Sequence, residues 1–159
     1  MIYQLLTYHI ILFLMKTNKD ITQRFFNSLD SSLKLYRQTI QAKLVKNGVE
    51  LTFDQFQVLE CIISGDNPTQ SEIAAKTSKD TASITRIVEL MTKKGYLTRE
   101  INKDNRRQNM LKVTESGERV HNKASEAVNE ITENALAGIK TKQFKKLKKV
   151  FKVIAKNCK

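Results

Sequence analysis

The 159-residue sequence predicts a mainly α-helical fold with one small β-hairpin. Proline occurs once and glycine five times, so few positions are expected to interrupt helices. Apolar residues recur at three- and four-residue steps over most of the chain, which is the period of an amphipathic helix. One short stretch instead alternates polar and apolar residues around a charged turn, which predicts the hairpin.

Charge and cysteine content limit the class of protein. The formal net charge is +12, which favours a polyanionic partner such as nucleic acid. Residues 140–159 hold nine lysines and no acidic residue, whereas residues 51–120 hold 11 basic and 10 acidic residues. A nucleic-acid interpretation must therefore rest on where the basic residues lie. Two cysteines far apart do not make a disulfide framework, so a reducing cytoplasm is the expected compartment.

Residues 1–15 form an apolar and nearly uncharged extension. They are shorter than the roughly 20 residues of a membrane-spanning helix, and they lack the features of a signal peptide. Three interpretations stay open: an extra helix that packs on a dimer, a misassigned translation start with Met15 as the true beginning, or a membrane contact. We favour the extra helix, because an exposed apolar segment would promote aggregation.

Residues 16–50 contain the first long helix, predicted from Phe25 to Lys46 and ended by Gly48. Its apolar side chains recur at steps of three and four and form one continuous face. They are Phe26, Leu29, Leu33, Tyr36, Ile40 and Leu44.

The second helix has a clear start signal. Thr52 and Gln55 fit a capping box, and Leu51 can pack on Phe56 as a hydrophobic staple. The residues predicted to face inward are Phe56, Leu59, Ile62 and Ile63. Cys61 is interpreted as a small core residue.

Two short helices joined by a tight turn come next. Thr69 and Glu72 fit another capping box, which starts the first of them. Ser78 or Asp80 can cap the second, which is predicted over residues 81–94. The apolar face of the second consists of Ile84, Ile87, Val88, Leu90 and Met91.

The other face of helix 81–94 carries small hydrogen-bonding residues and one arginine. These residues are Thr81, Ala82, Ser83, Thr85 and Arg86. A face without bulky groups suits the major groove of DNA, where recognition helices contact base edges with their N-terminal residues. The alternative is an ordinary solvent-facing side, although such sides usually carry more Glu and Lys.

A β-hairpin follows. Gly95 ends the helix, residues 96–101 and 110–113 alternate as paired strands, and residues 102–109 form a charged turn. Arginine at a hairpin tip suits the narrow minor groove, and an aspartate beside it can orient it through a bidentate pair. The tip residues are Lys103, Asp104, Arg106 and Arg107. The alternative interpretation is a solvated tip.

Residues 115–159 are predicted to form two further helices, the first capped by Thr114 and the second starting at Thr141 after Gly138. The apolar residues of the first are Val120, Ala124, Ala127, Val128, Ile131, Ala135 and Leu136. Those of the second are Phe144, Leu147, Val150, Phe151 and Ile154. So much apolar surface exceeds what one small domain can cover, so residues 16–50 and 115–159 are interpreted as dimerisation helices.

Residues 51–114 thus predict a winged helix-turn-helix, and here the sequence resembles the MarR (multiple antibiotic resistance regulator) family. The matching pieces are Ser71-Glu72-Ile73-Ala74, Ser83-Ile84-Thr85-Arg86, Lys93-Lys94-Gly95-Tyr96-Leu97, Asp104-Asn105-Arg106-Arg107 and Val113-Thr114-Glu115-Ser116-Gly117. The resemblance implies a homodimeric, DNA-binding transcription factor, often a repressor that a small ligand or an oxidant releases from DNA.

The resemblance also implies an effector pocket between the dimerisation helices and the DNA-binding region. The candidate lining residues are Tyr36, Phe53 and Phe56, with the plain hydrophobic core as the alternative. Redox-sensing members carry a cysteine early in the first long helix, and this chain has none between Phe25 and Lys46.

Other chemistry is not indicated. His9 and His121 are the only histidines, and neither belongs to a cluster with metal-ligand spacing. The sequence has no Gly-rich phosphate loop and no nucleophile-elbow motif. Neither an enzyme, a metal site nor a cofactor is therefore predicted.

The sequence as a whole predicts a homodimeric regulator of transcription, with double-stranded DNA as its partner. Helix 81–94 would enter the major groove and the wing 102–109 the minor groove of a pseudo-palindromic site. Phosphate contacts are predicted at Thr69, Gln70, Ser71 and Lys79. Two alternatives stay open: a winged-helix adaptor that binds protein instead of DNA, and a regulator anchored to a membrane by residues 1–15.

Overall fold

A computed structural model describes residues 2–101 and 109–158, and side chains within residues 20–100 and 110–158. The elements in chain order are α1 Ile2–Lys46, α2 Phe53–Ser64, α3 Gln70–Thr77, α4 Thr81–Lys93, β1 Leu97–Ile101, β2 Asn109–Val113, α5 Glu115–Leu136 and α6 Thr141–Asn157. The two strands pair antiparallel, with Leu97 opposite Val113 and Ile101 opposite Asn109. The predicted fold class, mainly α with one hairpin, is confirmed.

The first helix is longer than predicted. It begins at Ile2 and not at Phe25, so the apolar extension is not a separate helix but the N-terminal part of α1. Near the C-terminal end of α1, Ile40 and Leu44 are fully buried where the helix packs on α5 and α2. Closer to the N-terminus, on the same predicted face, Phe26 and Leu33 are about half exposed. Among the side chains described for α1, those near its C-terminal end therefore contribute to the core of the protomer.

The start of α2 is as predicted, and three of its four predicted inward residues are buried. Thr52 and Gln55 make both hydrogen bonds of the capping box. Phe56, Leu59 and Ile62 are buried, but Ile63 is 45% exposed and was predicted wrongly. Val58 is fully buried in its place, because it lies one helical turn before Ile62 and Ile63 is rotated about 100° away from that line.

Residue Cys61 of α2 is partly buried and packs against the core. Desolvation by burial is the main cause of the rise in the pKa of its thiol. A raised pKa keeps the sulfur protonated, so Cys61 behaves as a small apolar side chain and not as a nucleophile.

Hydrogen bonds fasten the hairpin to α5. Gly95 adopts a left-handed φ of 73° and turns the chain out of α4 into β1. The Thr114 amide donates to the Tyr96 carbonyl oxygen at 3.1 Å, and the Thr114 hydroxyl donates to the Gly95 carbonyl oxygen at 2.6 Å. The same hydroxyl accepts from the Gly117 amide at 3.0 Å, which caps α5 as predicted. The base of the wing and the start of α5 therefore form one rigid unit.

The core lies where the C-terminal part of α1 meets α2, α4 and α5. One of its buried polar residues is His121, whose Nε2 lies 2.7 Å from Oε2 of Glu60 and whose ring stacks on Phe56 at 5.1 Å. The predicted inward residues Ala124, Ala127 and Val128 of α5 are buried. Farther along, Ala135 and Leu136 are exposed.

In α6, no described residue is buried, although the predicted apolar stripe is present along one face. Phe144, Leu147, Val150 and Phe151 are each about 40% exposed. Over residues 2–101 and 109–158, none of the helices combines the length and the apolar character that crossing a bilayer requires.

Candidate nucleic-acid interface

Helices α3 and α4 are joined by a turn whose geometry follows from two residues. Ser78 closes α3 in a left-handed conformation with φ 54°, and the Lys79 amide donates back to the Ala74 carbonyl oxygen at 2.9 Å. Asp80 then caps α4, accepting from the Ser83 amide at 2.7 Å. Of the two caps that the sequence allowed, Asp80 is therefore the one used, and Ser78 ends the preceding helix.

The face of α4 that packs inward consists of Ile84, Val88 and Met91, which are fully buried. Leu90 was also predicted on this face but is 52% exposed, because it lies two residues from Val88 and therefore points roughly the opposite way. The burial of one side fixes which side α4 shows to solvent.

The outward side of α4 carries the predicted contact residues at its N-terminal half. Thr81, Ala82 and Arg86 are exposed, and Thr85 and Ser83 are half-buried. Arg86 has no ion-pair partner among the described residues, so its guanidinium is available to a ligand. Small neighbours around a free, fork-shaped donor fit a groove lined with hydrogen-bond acceptors.

Two of the predicted contact residues have structural partners as well. The Ser83 hydroxyl donates to Oδ2 of Asp80 at 2.6 Å and is part of the cap of α4. The Thr85 hydroxyl lies 2.8 Å from the side-chain oxygen of Gln70 and 2.9 Å from the Thr81 carbonyl oxygen. The contact between Thr85 and Gln70 crosses from α4 to α3 and helps to fix the angle between the two helices.

The start of α3 is closed by the predicted capping box. One Oε2 of Glu72 accepts from the Thr69 amide at 2.7 Å and from the Thr69 hydroxyl at 2.9 Å. These hydrogen bonds lower the pKa of Glu72, the backbone hydrogen bond contributing most. The amides of Gln70 and Ser71 have no intrahelical carbonyl within reach, and the Glu72 carboxylate lies beside them.

Lys79 is placed differently from the sequence prediction. Its Nζ lies 2.8 Å from Oδ2 of Asp54, and its side chain is only 19% exposed. The Oδ1 of Asp54 also accepts from Nη1 of Arg37 at 3.2 Å. The lysine that was predicted to contact a phosphate is thus held by a carboxylate at the start of α2. Local sequence gave no sign of this, because the partners belong to three different elements.

The strands of the wing are described, and its tip is not. The ammonium of Lys112 pairs with Oε2 of Glu100 at 2.6 Å across the hairpin. This cross-strand pair stabilises the base from which the tip projects. The four predicted tip residues, Lys103, Asp104, Arg106 and Arg107, lie outside the described residues.

The predicted effector-lining residues form one aromatic row. Tyr36 meets Phe53 edge-on at 6.1 Å, and Phe53 stacks on Phe56 at 6.2 Å. A cavity of about 240 Å³ opens beside Phe53, with the Arg37 guanidinium 5.7 Å from the centre of the Phe53 ring. Phe56 is buried, and its ring stacks on that of His121.

Tyr36 faces a second and larger cavity, of about 450 Å³, between α1 and α5. Its hydroxyl lies 2.8 Å from the Thr132 hydroxyl. Sequence inspection missed Arg37 and Thr132, since neither belongs to a motif. Within the described residues, no group of three or more His, Cys, Asp and Glu side chains is arranged to hold a metal ion.

Acid is expected to weaken the cap of α4. Hydrogen bonds from the Ser83 hydroxyl and then from its amide hold the pKa of Asp80 below its ordinary value of 3.8. Because the pKa is lowered in the folded state, the ionised cap stabilises the fold fully above about pH 4 and loses this effect as the pH falls through the folded-state pKa. Asp80→Asn keeps a capping oxygen that does not titrate.

Urea denaturation of both proteins between about pH 6 and about pH 2 measures this effect. The wild type should lose unfolding free energy relative to Asp80→Asn only at the acid end. Parallel pH profiles for the two proteins would show that Asp80 does not titrate differently on folding.

Two capped helices joined by a tight turn, followed by a two-stranded hairpin bonded to the next helix, define a winged helix-turn-helix protein. Residues 51–108 match the sequence model described as the MarR family. The resemblance to the MarR family is therefore confirmed over this segment of the chain. No curated protein matches the sequence.

Solved structures share the fold over most of the chain. A protein of unknown function from Listeria innocua has a TM-score of 0.66 and 24% identity, covering 89% of this chain and 98% of its own. A MarR family transcriptional regulator from Streptomyces coelicolor, in complex with DNA, has a TM-score of 0.75 and 15% identity, covering 86% and 90%. CouR from Rhodococcus jostii, bound to p-coumaroyl-CoA, has a TM-score of 0.70 and 21% identity, covering 80% and 88%.

Proposed function

We propose that the protein is a homodimeric, sequence-specific DNA-binding repressor of transcription whose DNA binding is modulated by a small ligand. The observation that carries the proposal is the outward face of α4, where Arg86 lies among small residues in the N-terminal half of the helix and has no ion-pair partner within residues 20–100 and 110–158. The other side of α4 is buried in the core. The likeness to the Streptomyces coelicolor regulator in complex with DNA supports the same use of the fold.

In the proposed complex, the N-terminal half of α4 enters the major groove. Thr81, Ala82 and Arg86 contact base edges, and Ser83 and Thr85 contact the adjoining backbone with hydroxyl oxygens that keep a free acceptor site. The free amides at the start of α3 bind a phosphate together with Thr69, Gln70 and Ser71. Lys103, Arg106 and Arg107 of the tip, with Asp104 as the orienting residue, contact the minor groove.

The homodimer is proposed from apolar surface that the protomer leaves uncovered. Phe25, Phe26 and Leu33 are exposed in the middle of α1, and Phe144 and Phe151 are exposed on the apolar stripe of α6. Such a large exposed apolar area is uncommon on a monomer and is normal for a subunit interface. A two-fold axis through these helices would present two copies of α4 to one face of the DNA.

The ligand is proposed from the two cavities beside α1. The smaller cavity offers the Arg37 guanidinium next to the Phe53 ring, and the larger offers the hydroxyl of Tyr36 between α1 and α5. A molecule bound at either place would contact α1 and an element that carries or supports the DNA-binding unit. It could therefore change the distance between the two copies of α4.

Replacing Arg86 by alanine should weaken DNA binding about tenfold or more, because a good arginine contact with a base discriminates by about 1–3 kcal/mol. Fluorescence anisotropy on DNA flanking the gene, with excess non-specific competitor, measures the change. Arg24→Ala removes the same charge from an exposed site on α1 and should bind like the wild type. Equal affinity of Arg86→Ala and the wild type would exclude α4 as the recognition helix and would favour the protein-binding adaptor.

A further inference from the structure

The ion pair between Lys79 and Asp54 engages a cation of the helix-turn-helix within the protomer. Lys79 lies in the turn between α3 and α4, directly before the cap of the proposed recognition helix. Its backbone amide is bound to the Ala74 carbonyl oxygen, so its Cα is fixed beside the start of α4. A lysine at this place would ordinarily extend toward the phosphates. Here its ammonium is 2.8 Å from a carboxylate oxygen of α2.

The carboxylate is well placed to keep the lysine. Asp54 lies in the first turn of α2, where the helix dipole stabilises its negative charge. Arg37 of α1 binds its other oxygen at 3.2 Å and so fixes its orientation. Because the Lys79 side chain is mostly covered, solvent and salt screen this ion pair less than a fully exposed one.

We propose that Asp54 withholds Lys79 from DNA and so keeps the affinity of the helix-turn-helix below the value that its basic residues could provide. The inference rests on the proposed function and adds a regulatory residue to it. Asp54 bridges α1 and the turn before α4, so a displacement of α1 relative to α2 changes how firmly Lys79 is held. Asp54 then acts through Lys79 and does not itself contact DNA.

The central test compares Asp54→Asn with the wild type in DNA titrations over a range of salt concentrations. Each additional phosphate contact steepens the dependence of log affinity on log salt by about 0.9, so two protomers should add about 1.8. The affinity advantage of Asp54→Asn should accordingly shrink about tenfold between about 50 and about 200 mM salt. An unchanged slope would overturn the inference.

A matched control separates this effect from the change in net charge. Glu130 pairs with Lys43 at 2.7 Å and links α1 to α5, away from the turn. Glu130→Gln removes one acidic charge, as Asp54→Asn does, and also releases a partly covered lysine. It should leave the salt slope at the wild-type value. A slope as steep as that of Asp54→Asn would mean that added charge alone strengthens binding, and would overturn the inference.

Replacing Lys79 completes a double-mutant cycle with Asp54→Asn. Lys79→Met keeps the apolar stem and removes the ammonium. In the wild-type background Lys79→Met should leave the salt slope unchanged. In the Asp54→Asn background it should return the steeper salt slope to the wild-type value. A flatter slope for Lys79→Met alone would show that Lys79 already contacts DNA. That result would overturn the inference even if Asp54→Asn does not fold.

The outcome also separates this inference from the proposed function. If Arg86→Ala weakens binding but Asp54→Asn does not steepen the salt slope, only the role of Asp54 is refuted. If neither variant changes a weak, competitor-sensitive binding, the proposed function fails and the inference fails with it.

Discussion

Replacing Gly117 by alanine is expected to lower the free energy of unfolding by about 3 kcal/mol, the upper part of the range for overpacked cores. A Cβ at this position would overlap the Tyr96 carbonyl oxygen and would approach Cγ1 of Val113 to 2.8 Å. Moving the Tyr96 carbonyl would cost free energy, because it accepts the hydrogen bond from the Thr114 amide that holds the hairpin to α5. Either that hydrogen bond breaks or α5 moves away from the base of the wing.

Urea denaturation measures the loss, and Lys123→Ala, an exposed substitution within the same helix, should remain within about 0.5 kcal/mol of the wild type. Because the wing would also be displaced, Gly117→Ala should bind DNA more weakly at temperatures where it is still folded. If Gly117→Ala were as stable as the wild type, the close packing of α5 on the hairpin would be wrong.

The second large effect is expected from the double substitution Phe144→Asp/Phe151→Asp on the apolar stripe of α6. Neither side chain is buried in the protomer, so the fold of the protomer should survive. If the stripe lies in the dimer interface, two buried carboxylates would separate the subunits. The loss of simultaneous binding to two half-sites should lower the DNA affinity about 100-fold or more.

Sedimentation equilibrium and circular dichroism test this expectation together. The wild type should have the mass of a dimer, and the variant the mass of a monomer with the same helix content. Lys146→Gln/Lys149→Gln alters the net charge of α6 by the same amount and should remain dimeric, because lysines on the exposed helix α6 lie outside the apolar stripe. A wild type that sediments as a monomer would contradict the homodimer directly.

Helix caps and the hairpin could be predicted from the sequence, because each is formed by residues that lie close together in the chain. The caps at Thr52, Thr69 and Thr114 each join residues three positions apart, so the residue types alone indicate the hydrogen bonds. The hairpin likewise follows from alternation on both sides of a charged turn.

Features set by contacts distant in sequence could not be predicted. Ile63 and Leu90 are apolar and near the correct period, but periodicity does not define the edge of a buried face, which depends on the helices that pack there. The ion pair of Lys79 could not be predicted, because its partner Asp54 lies in another helix. The residues of the wing tip remain sequence predictions.

Sequence-specific DNA binding by a two-fold symmetric dimer is tested most directly by selecting binding sites from random double-stranded DNA with the full-length protein and sequencing them. If α4 is the recognition helix of a two-fold symmetric dimer, the wild type should enrich a pseudo-palindrome whose half-sites are centred about one helical turn, or roughly 10 base pairs, apart. Arg86→Ala should fail to enrich the same bases within each half-site. Enrichment of no common sequence by the wild type would contradict the assignment of α4 as a recognition helix in a two-fold symmetric regulator.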